Sequence, residues 1–338
     1  MKRIRYSIIF LFLIQLFPGM TLLSTEYQKL AQVGMKFLSV PLDARASAMS
    51  GAYTAIEDKS ISLLFNPANM ARMQNRADFA LGQVKWIGEI DYVFATAAFS
   101  PLQGRFGIFG FSLMSVDYGQ LNNTILADNE QGFLDLGEFN PSAYSMGFGY
   151  AKALSDRFAV GGQMKYVFQS LGSGVVGFDP EGVQNTESFE LNVLAFDFGV
   201  IYRTGFESLN FGLSVRNFSR EITYIEESFQ LPLTFEMGVC MNLLDFSSLS
   251  SQDHKLFLSI DASHPRDYGE QLDLGLEYTF LNTVALRGGF TSPTDEQGFC
   301  AGAGLQQSYK DFGLQVDYAY TDFGIFNEVH RFTFKFSF

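Results

Sequence analysis

The stretch Arg331-Phe332-Thr333-Phe334-Lys335-Phe336-Ser337-Phe338 alternates a polar side chain with phenylalanine at every step. Successive side chains of a β-strand point to opposite faces, so one face would carry only phenylalanine and the other Arg, Thr, Lys and Ser. The strands of a transmembrane barrel have this form, because one face meets lipid and the other meets a wet lumen. The stretch therefore predicts a strand in the wall of a membrane barrel.

The same alternation recurs through residues 77–338. Leu194, Phe196 and Phe198, for example, alternate with Ala195, Asp197 and Gly199. Helices would instead repeat apolar residues every three or four positions. The pattern predicts an all-β fold, a transmembrane β-barrel of about fourteen antiparallel strands, with segments near 77–86, 90–100, 104–118, 142–154, 157–170, 190–204, 208–218, 231–243, 254–264, 269–281, 283–292, 297–306, 312–322 and 326–338.

Connection lengths give a second, independent signal. Short connections are predicted at one rim, at residues 101–104, 155–156, 205–208, 281–282 and 307–311, with 244–253 as a long exception. Loops 119–141, 171–189, 219–230 and 264–269 alternate with them, on the opposite rim. Bacterial barrels have short periplasmic turns and longer external loops, so the long loops are predicted outside.

The three longest of these loops are acidic. They contain a single basic residue, Arg220, and ten acidic ones: Asp128, Glu130, Asp135, Glu138, Asp179, Glu181, Glu187, Glu221, Glu226 and Glu227. One interpretation is a solvated surface that keeps the external face soluble. The other is a rim that attracts a basic partner segment or divalent cations.

Composition agrees with a membrane barrel. The chain has 338 residues, 37 of them phenylalanine, and only 17% are charged, below the quarter that is typical of soluble domains. No stretch beyond residue 20 is long and apolar enough for a spanning helix. A large soluble β protein is the alternative. The net charge of −13 argues against nucleic-acid binding, which needs a basic patch.

Residues 1–24 are predicted to be a signal peptide, because Lys2, Arg3 and Arg5 precede the apolar residues 8–17. The only cysteines of the chain are Cys240 and Cys300. Two cysteines in an exported protein could form a disulfide. Since their predicted strands are far apart around the wall, free thiols that face the lumen are the expectation.

Residues 25–76 do not alternate and are predicted to be a partly helical plug inside the barrel. Small residues dominate 44–55, which allows close backbone packing. Asp58 or Ser60 is expected to cap a short helix that ends before Pro67. The turn Asn66-Pro67-Ala68 is expected to hold the plug in place.

Residues 44–58 (ARASAMSGAYTAIED) and 65–71 (FNPANMA) resemble the amino-terminal signature of the PorV/PorQ family of outer-membrane proteins, which is related to FadL-type transporters. Ser50 stands where the first of two glycines is usual, and Asn69 stands where glycine commonly follows Asn-Pro-Ala. The resemblance implies a fourteen-stranded barrel with an inserted amino-terminal segment. It also implies one of two activities: receiving the C-terminal sorting domains of proteins secreted by a type IX system, or moving hydrophobic compounds.

Chemistry that would mark an enzyme or a cofactor site is not expected. The string Gly172-Ser173-Gly174-Val175-Val176-Gly177 leads into Asp179-Pro180, whereas dinucleotide binding needs a helix at that point. His254, His264 and His330 lack metal-ligand spacing. No catalytic residue, cofactor or metal is therefore predicted.

Charged residues at inward positions are the remaining candidates. One group is predicted on neighbouring strands and consists of Glu236, Asp261, Asp273, Glu277 and Arg287. Lys165, Arg203 and Arg216 are predicted on the other half of the barrel. These charges are interpreted either as ion pairs that brace the barrel and the plug, or as a polar path or docking patch.

The combined prediction is an outer-membrane barrel that binds and shuttles cargo of a type IX secretion system. Its expected partners are membrane lipid, sorting domains of secreted proteins and other secretion components. A FadL-like channel for long-chain fatty acids or other hydrophobic small molecules is the alternative. A structural or adhesive surface barrel is the third.

Overall fold

The computed structural model describes residues 33–178, 183–224, 227–247, 253–295, 297–310 and 312–338. The predicted signal peptide, residues 1–24, lies outside them. Within the described residues, fourteen antiparallel strands hydrogen-bond into a closed ring, namely β1 (Ala77–Lys85), β2 (Asp91–Phe99), β3 (Ile108–Asp117), β6 (Ser142–Ala153), β7 (Phe158–Phe178), β8 (Gln184–Arg203), β9 (Asn210–Ser219), β12 (Thr234–Asn242), β13 (His254–Pro265), β14 (Gln271–Phe280), β15 (Val284–Ser292), β16 (Cys300–Tyr309), β17 (Phe312–Asp322) and β18 (Glu328–Ser337).

Two small hairpins stand apart from the ring: β4 (Leu121–Leu126) with β5 (Phe133–Phe139), and β10 (Ile222–Tyr224) with β11 (Glu227–Phe229). The single α-helix of the described residues is α1 (Ala44–Ala48). Short 3₁₀ turns occupy Lys36–Ser39, Ser60–Leu64, Pro67–Met70, Ile87–Glu89, Pro101–Gly104, Leu243–Phe246 and Gly324–Phe326. None of the helices in the part of the chain that is described is long and apolar enough to cross a membrane.

The ring closes where β1 pairs with β18, from Asp78 opposite Ser337 to Lys85 opposite His330. The side-chain alternation in β18 is as predicted. Phe332 and Phe334 are 55% and 46% exposed on the outer surface, whereas Thr333 and Lys335 are 1% and 6% exposed on the inner one. All fourteen predicted wall segments correspond to observed strands, so the predicted fold class is confirmed.

The two rims differ in their connections. The rim that contains residues 281–283 and Lys310 is called the short-turn rim, and the opposite one the long-loop rim. At the short-turn rim Leu281 and Asn282 have φ of 52° and 49°, and Thr283 N donates to Phe280 O at 2.9 Å, which closes a tight turn.

Three loop predictions were incomplete, because strand pairing continues beyond the apolar alternation. β7 and β8 extend past the predicted ends at residues 170 and 190 and remain paired, with a register shift between Ser170 and Ser173. Loops 119–141 and 219–230 contain the two hairpins. Backbone hydrogen bonds form between these strands although their apolar residues do not alternate strictly with polar ones, as in Ile125-Leu126 and Phe133-Leu134. A period-two hydrophobic signal does not detect such strands.

The amino-terminal segment, defined as residues 33–76, runs through the lumen from one rim to the other. At the long-loop rim Gly34 N donates to Gln230 O at 3.1 Å, and Lys36 Nζ lies 2.5 Å from Asp267 Oδ2. Near the short-turn rim Lys59 Nζ donates to Ser337 Oγ, and the segment then leads into β1.

The core lies between this segment and the wall. Met35, Phe37, Leu38 and Leu42 are buried in one apolar cluster with inward side chains of the first strands, among them Val84, Phe94, Met114, Val116, Val167 and Val193. The predicted capped helix near residue 60 is a 3₁₀ turn, Ser60–Leu64, whose N-cap Lys59 makes no side-chain cap. Ser60 N and Oγ instead donate to Asp78 Oδ1, because that wall carboxylate is buried beside them.

Candidate functional site

Helix α1 brings acidic and basic side chains of the amino-terminal segment against the wall. Asp43 caps α1, since its Oδ2 accepts from Ala46 N at 3.1 Å. The small residues of α1 permit close contact with β15 to β18. A Cβ on Gly289 would lie 2.5 Å from the Ser50 backbone nitrogen, so the wall also needs a residue without a side chain there. Small residues on both surfaces therefore place Asp43 and Arg45 within reach of wall charges.

Arg45 lies at the centre of a buried ion-pair network. Its Nε and Nη2 bind the two oxygens of Glu277 at 2.8 and 2.7 Å. Arg287 Nε binds Glu277 Oε2 at 2.5 Å, and Arg287 Nη1 binds Asp317 Oδ1 at 2.8 Å. The Glu277, Arg287 and Asp317 side chains are 4% exposed or less. Bidentate geometry of this kind gives strong and directional charge pairs.

Lys335 completes the same network from β18. Its Nζ lies 3.4 Å from Asp43 Oδ1 and 3.4 Å from Asp58 Oδ2. The Tyr53 hydroxyl donates to Asp58, and Arg45 Nη1 lies 3.2 Å from that carboxylate. The network is called the charged seam below; it consists of Asp43, Arg45, Tyr53 and Asp58 of the segment and Glu277, Arg287, Asp317 and Lys335 of the wall.

A second polar group lies nearer the long-loop rim. Thr54 N donates to Asp261 Oδ2 at 2.7 Å, and Thr54 Oγ1 donates to Glu236 Oε2 at 3.2 Å. Asp273 accepts from Thr291, whose hydroxyl lies 2.7 Å from Ser50 Oγ. These predicted lumen carboxylates therefore contact the amino-terminal segment directly or through one hydroxyl.

One placement differs from the sequence-based expectation. Arg216 was assigned to the opposite half from Glu236, yet β9 and β12 are neighbours, and Arg216 Nη2 lies 2.5 Å from Glu236 Oε1. The intervening hairpin β10–β11 leaves the ring, which brings these strands together. Arg203 pairs with Glu57 and Lys165 with Asp197, both on the half that was expected for them.

The Asn66-Pro67-Ala68 turn is a well-packed element. Asn66 Oδ1 accepts from Ala68 N at 3.1 Å, which caps the 3₁₀ turn that begins at Pro67. Its Nδ2 donates to Thr54 O at 2.8 Å and to Val200 O at 3.1 Å. A Cβ on Gly161 would lie 2.5 Å from Ala68 N, so the wall lacks a side chain where the turn approaches. The turn thus joins the segment to β7 and β8.

Sequence reasoning identified the wall partners Glu277 and Arg287 but missed Asp43, Arg45 and Asp58 as their counterparts. These residues stand among Ala and Ser, where no periodicity assigns a direction to a side chain. The sequence does indicate Lys335, because its position in the alternation of β18 makes it inward-facing.

Both predicted thiols are free and buried, and Cys300 Sγ lies 3.5 Å from Ser50 Oγ.

Cavities open near the short-turn rim. One of about 570 Å³ is lined by residues that include Glu57, Arg157 and Arg203, and one of about 610 Å³ by residues that include Lys59, Arg76 and Lys310. A smaller space of about 40 Å³ lies deeper in the lumen beside Lys165, which is room for very few water molecules. In the residues that the structure describes, no group of His, Cys, Asp and Glu has the arrangement of a metal site.

Comparison of the sequence with known families gives one match. The family described as "Type IX secretion system membrane protein PorP/SprF" matches residues 125–336, which is more than half of the chain. No curated protein matches the sequence.

Solved structures give the fold. The Ralstonia pickettii toluene transporter TbuX is similar at TM-score 0.54 and 13% identity, over 88% of this chain and 97% of that one. The Pseudomonas putida toluene transporter TodX is similar at TM-score 0.56 and 12% identity, over 87% and 96%. A Pseudomonas aeruginosa FadL homologue is similar at TM-score 0.53 and 11% identity, over 88% and 98%.

These findings confirm the prediction of a barrel in the bacterial outer membrane that is associated with type IX secretion. The short-turn rim accordingly faces the periplasm and the long-loop rim faces outside. The finer assignment to PorV/PorQ stays a prediction.

Proposed function

Because the chain belongs to the PorP/SprF family of type IX secretion system membrane proteins, we propose that it binds secreted proteins at its external rim and passes them to other components of that system. The proposed partners are the C-terminal sorting domains of those proteins. The proposed activity is binding and shuttling, with no enzymatic step, cofactor or metal.

The observation that carries this proposal is the occupied lumen. The amino-terminal segment lies inside the barrel from Gly34, at the external loops, to Lys59, at the periplasmic rim. The charged seam holds it by ion pairs whose wall side chains are at most 7% exposed. A folded protein cannot pass through a lumen filled in this way. The surfaces that remain for cargo are the loops and the outside of the wall.

The external rim has features that suit protein binding. Strands β7 and β8 continue as a paired arm beyond the part of the wall that faces lipid. The β4–β5 hairpin pairs with no other strand of the described residues, so its edges can accept a partner strand. It exposes Leu121, Leu126 and Leu134 beside Asp135 and Glu138. Apolar groups within an acidic surface favour a partner with basic residues around an apolar patch.

The test is affinity purification of the tagged barrel from native outer membranes, followed by identification of the proteins that remain bound. We expect secreted proteins with sorting domains on the intact barrel, and a loss of most of them when residues 120–140 are replaced by a short Gly-Ser linker. If the host secretes the same proteins at the same level after the gene is deleted, the proposal is wrong and a structural surface barrel becomes the better account.

A FadL-like channel for hydrophobic compounds is the second candidate. The apolar cluster around Phe37 and Phe94 favours it, because a passage for such compounds needs apolar walls. This function would require the amino-terminal segment to move, since Met35, Phe37, Leu38 and Leu42 fill that space. Uptake of a radiolabelled long-chain fatty acid by cells with and without the barrel separates the two. The binding function predicts equal uptake.

A further inference from the structure

Charge is distributed unequally between the two rims. The long external loops hold ten acidic residues and one basic residue. Exposed cations instead collect at the periplasmic rim, where Arg76, Arg105, Arg157 and Lys310 lie in or beside the short connections. Acidic residues such as Asp156, Glu207 and Asp245 also lie at this rim, but where β6 to β13 end. The positive potential is therefore local, around Arg76 and Lys310, where β17, β18 and β1 end.

Two of these cations, Arg76 and Lys310, line one groove together with Lys59. The space of about 610 Å³ lies where β17, β18 and β1 end, and its lining includes Lys59, Arg76, Gln103, Ser308, Lys310 and Ser337. This is the size range of pockets that hold small ligands or a few residues of a peptide. Amide and hydroxyl groups between the cations provide hydrogen-bond donors and acceptors for a peptide backbone. The groove is called the periplasmic groove.

The cations of the periplasmic groove differ from those of the charged seam. Arg45, Arg287 and Lys335 each contact carboxylates. Arg76 and Lys310 form no ion pair with any described residue, and Lys310 Nζ lies 5.5 Å from the centroid of the neighbouring Tyr309 ring. Lys59 donates to Ser337 Oγ at 2.9 Å and lies 3.7 Å from Asp78. Two exposed cations in one groove are therefore available to an anionic ligand.

We propose that the periplasmic groove binds an acidic segment of a periplasmic protein, which attaches the barrel to machinery on that side of the membrane. Carboxylate side chains would pair with Arg76 and Lys310, and the peptide backbone would contact Gln103 and Ser308. The lining also includes Phe312 and Phe338, which are exposed on the outer surface, whereas Lys59 and Ser337 belong to the lumenal side. A lipid headgroup fits less well than a peptide, because a headgroup at the outer surface would not reach the lumenal side. This contact is independent of cargo binding at the external rim.

The test uses the full barrel in detergent micelles and a fluorescent hexaglutamate peptide as the probe. We expect binding at low ionic strength that weakens steeply with added salt, because exposed charges are screened. The double variant Arg76→Glu/Lys310→Glu is expected to bind about tenfold more weakly or worse. The matched control is Lys85→Glu/Arg220→Glu, which changes the net charge equally but on the external side. It is expected to bind as the unmodified barrel does.

Two results overturn the proposal. One is equal loss of binding in both double variants, which assigns the effect to net charge. The other is tighter binding of phosphatidylglycerol-doped micelles than of the peptide through Arg76 and Lys310, which makes the groove a lipid site. Heat-dependent gel migration verifies that each variant is a folded barrel, so absent binding in a folded unmodified barrel also counts against the proposal.

Discussion

The two halves of the barrel wall contact the amino-terminal segment with different side chains. In β1 to β8 the inward positions are mostly small or apolar, such as Ala80, Phe94 and Ala151. In β9 to β18 they are mostly hydroxyl or charged, such as Glu277, Arg287 and Lys335. Apolar packing depends on volume and tolerates many arrangements. Charge pairs at 2.5–3.4 Å allow few arrangements of the two side chains, so the second half determines the position of the segment in the lumen.

The largest expected effect tests the charged half. Arg287→Leu leaves the carboxylates of Glu277 and Asp317 without this partner in a buried site, so we expect the free energy of unfolding to fall by about 3–5 kcal/mol. Denaturant unfolding of the barrel in detergent measures it. Arg220→Leu, an exposed control in an external loop, is expected to stay within about 0.5 kcal/mol. The variant should lower the stability of the barrel while it alters the amount of secreted cargo little. Equal midpoints for the Arg287 and Arg220 variants would contradict this assignment.

The next effect tests close packing on the other half. Gly161→Ala places a Cβ 2.5 Å from Ala68 N, and either the turn or the strand must move. Such overpacking costs about 1–3 kcal/mol. The control is Gly162→Ala on the outward face of the same strand, where the nearest atom is Asp197 O at 3.4 Å. If the two alanine variants unfold at the same denaturant concentration, the segment is not packed against β7.

The Asn66 side chain joins two parts of the amino-terminal segment to β8, in the first half of the wall. Asn66→Ala removes the cap on Ala68 N and the donors to Thr54 O and Val200 O, at an expected cost of about 1–2 kcal/mol. Asn66→Asp keeps an acceptor for Ala68 but loses both donors, so it sharpens the test. We expect it to be no more stable than the alanine variant. A fully stable Asn66→Asp variant would show that only the cap matters.

The smallest effect is expected at the external end of the segment. Lys36 Nζ pairs with Asp267, but the lysine side chain is 57% exposed, and exposed pairs contribute about 0–1 kcal/mol. Lys36→Ala should therefore change unfolding by less than about 1 kcal/mol, and by still less at high salt. A larger loss would mean that the external end holds the segment as strongly as the charged seam does.

The sequence predicted the wall better than its contents. Alternation such as that of residues 331–338 is local information, since each position reports its own face. The wall partners of Asp43 and Arg45, Lys335 and Glu277, are more than 230 positions away along the chain, and periodicity carries no such information. The small residues 44–55 predicted close packing but not the surface against which they pack. The β4–β5 hairpin was missed because strands exposed on both faces lack apolar alternation.

The central claim is that the amino-terminal segment stays in the lumen while the protein works. Ser50 Oγ lies 3.5 Å from Cys300 Sγ, so Ser50→Cys in a Cys240→Ser background places two thiols together between segment and wall. The measurement is secretion by cells in which oxidation has joined residues 50 and 300, with Cys300→Ser as the unlinked control. The account predicts that the disulfide forms and that secretion continues. It is contradicted if no bond forms, or if the bond stops secretion and a reductant restores it.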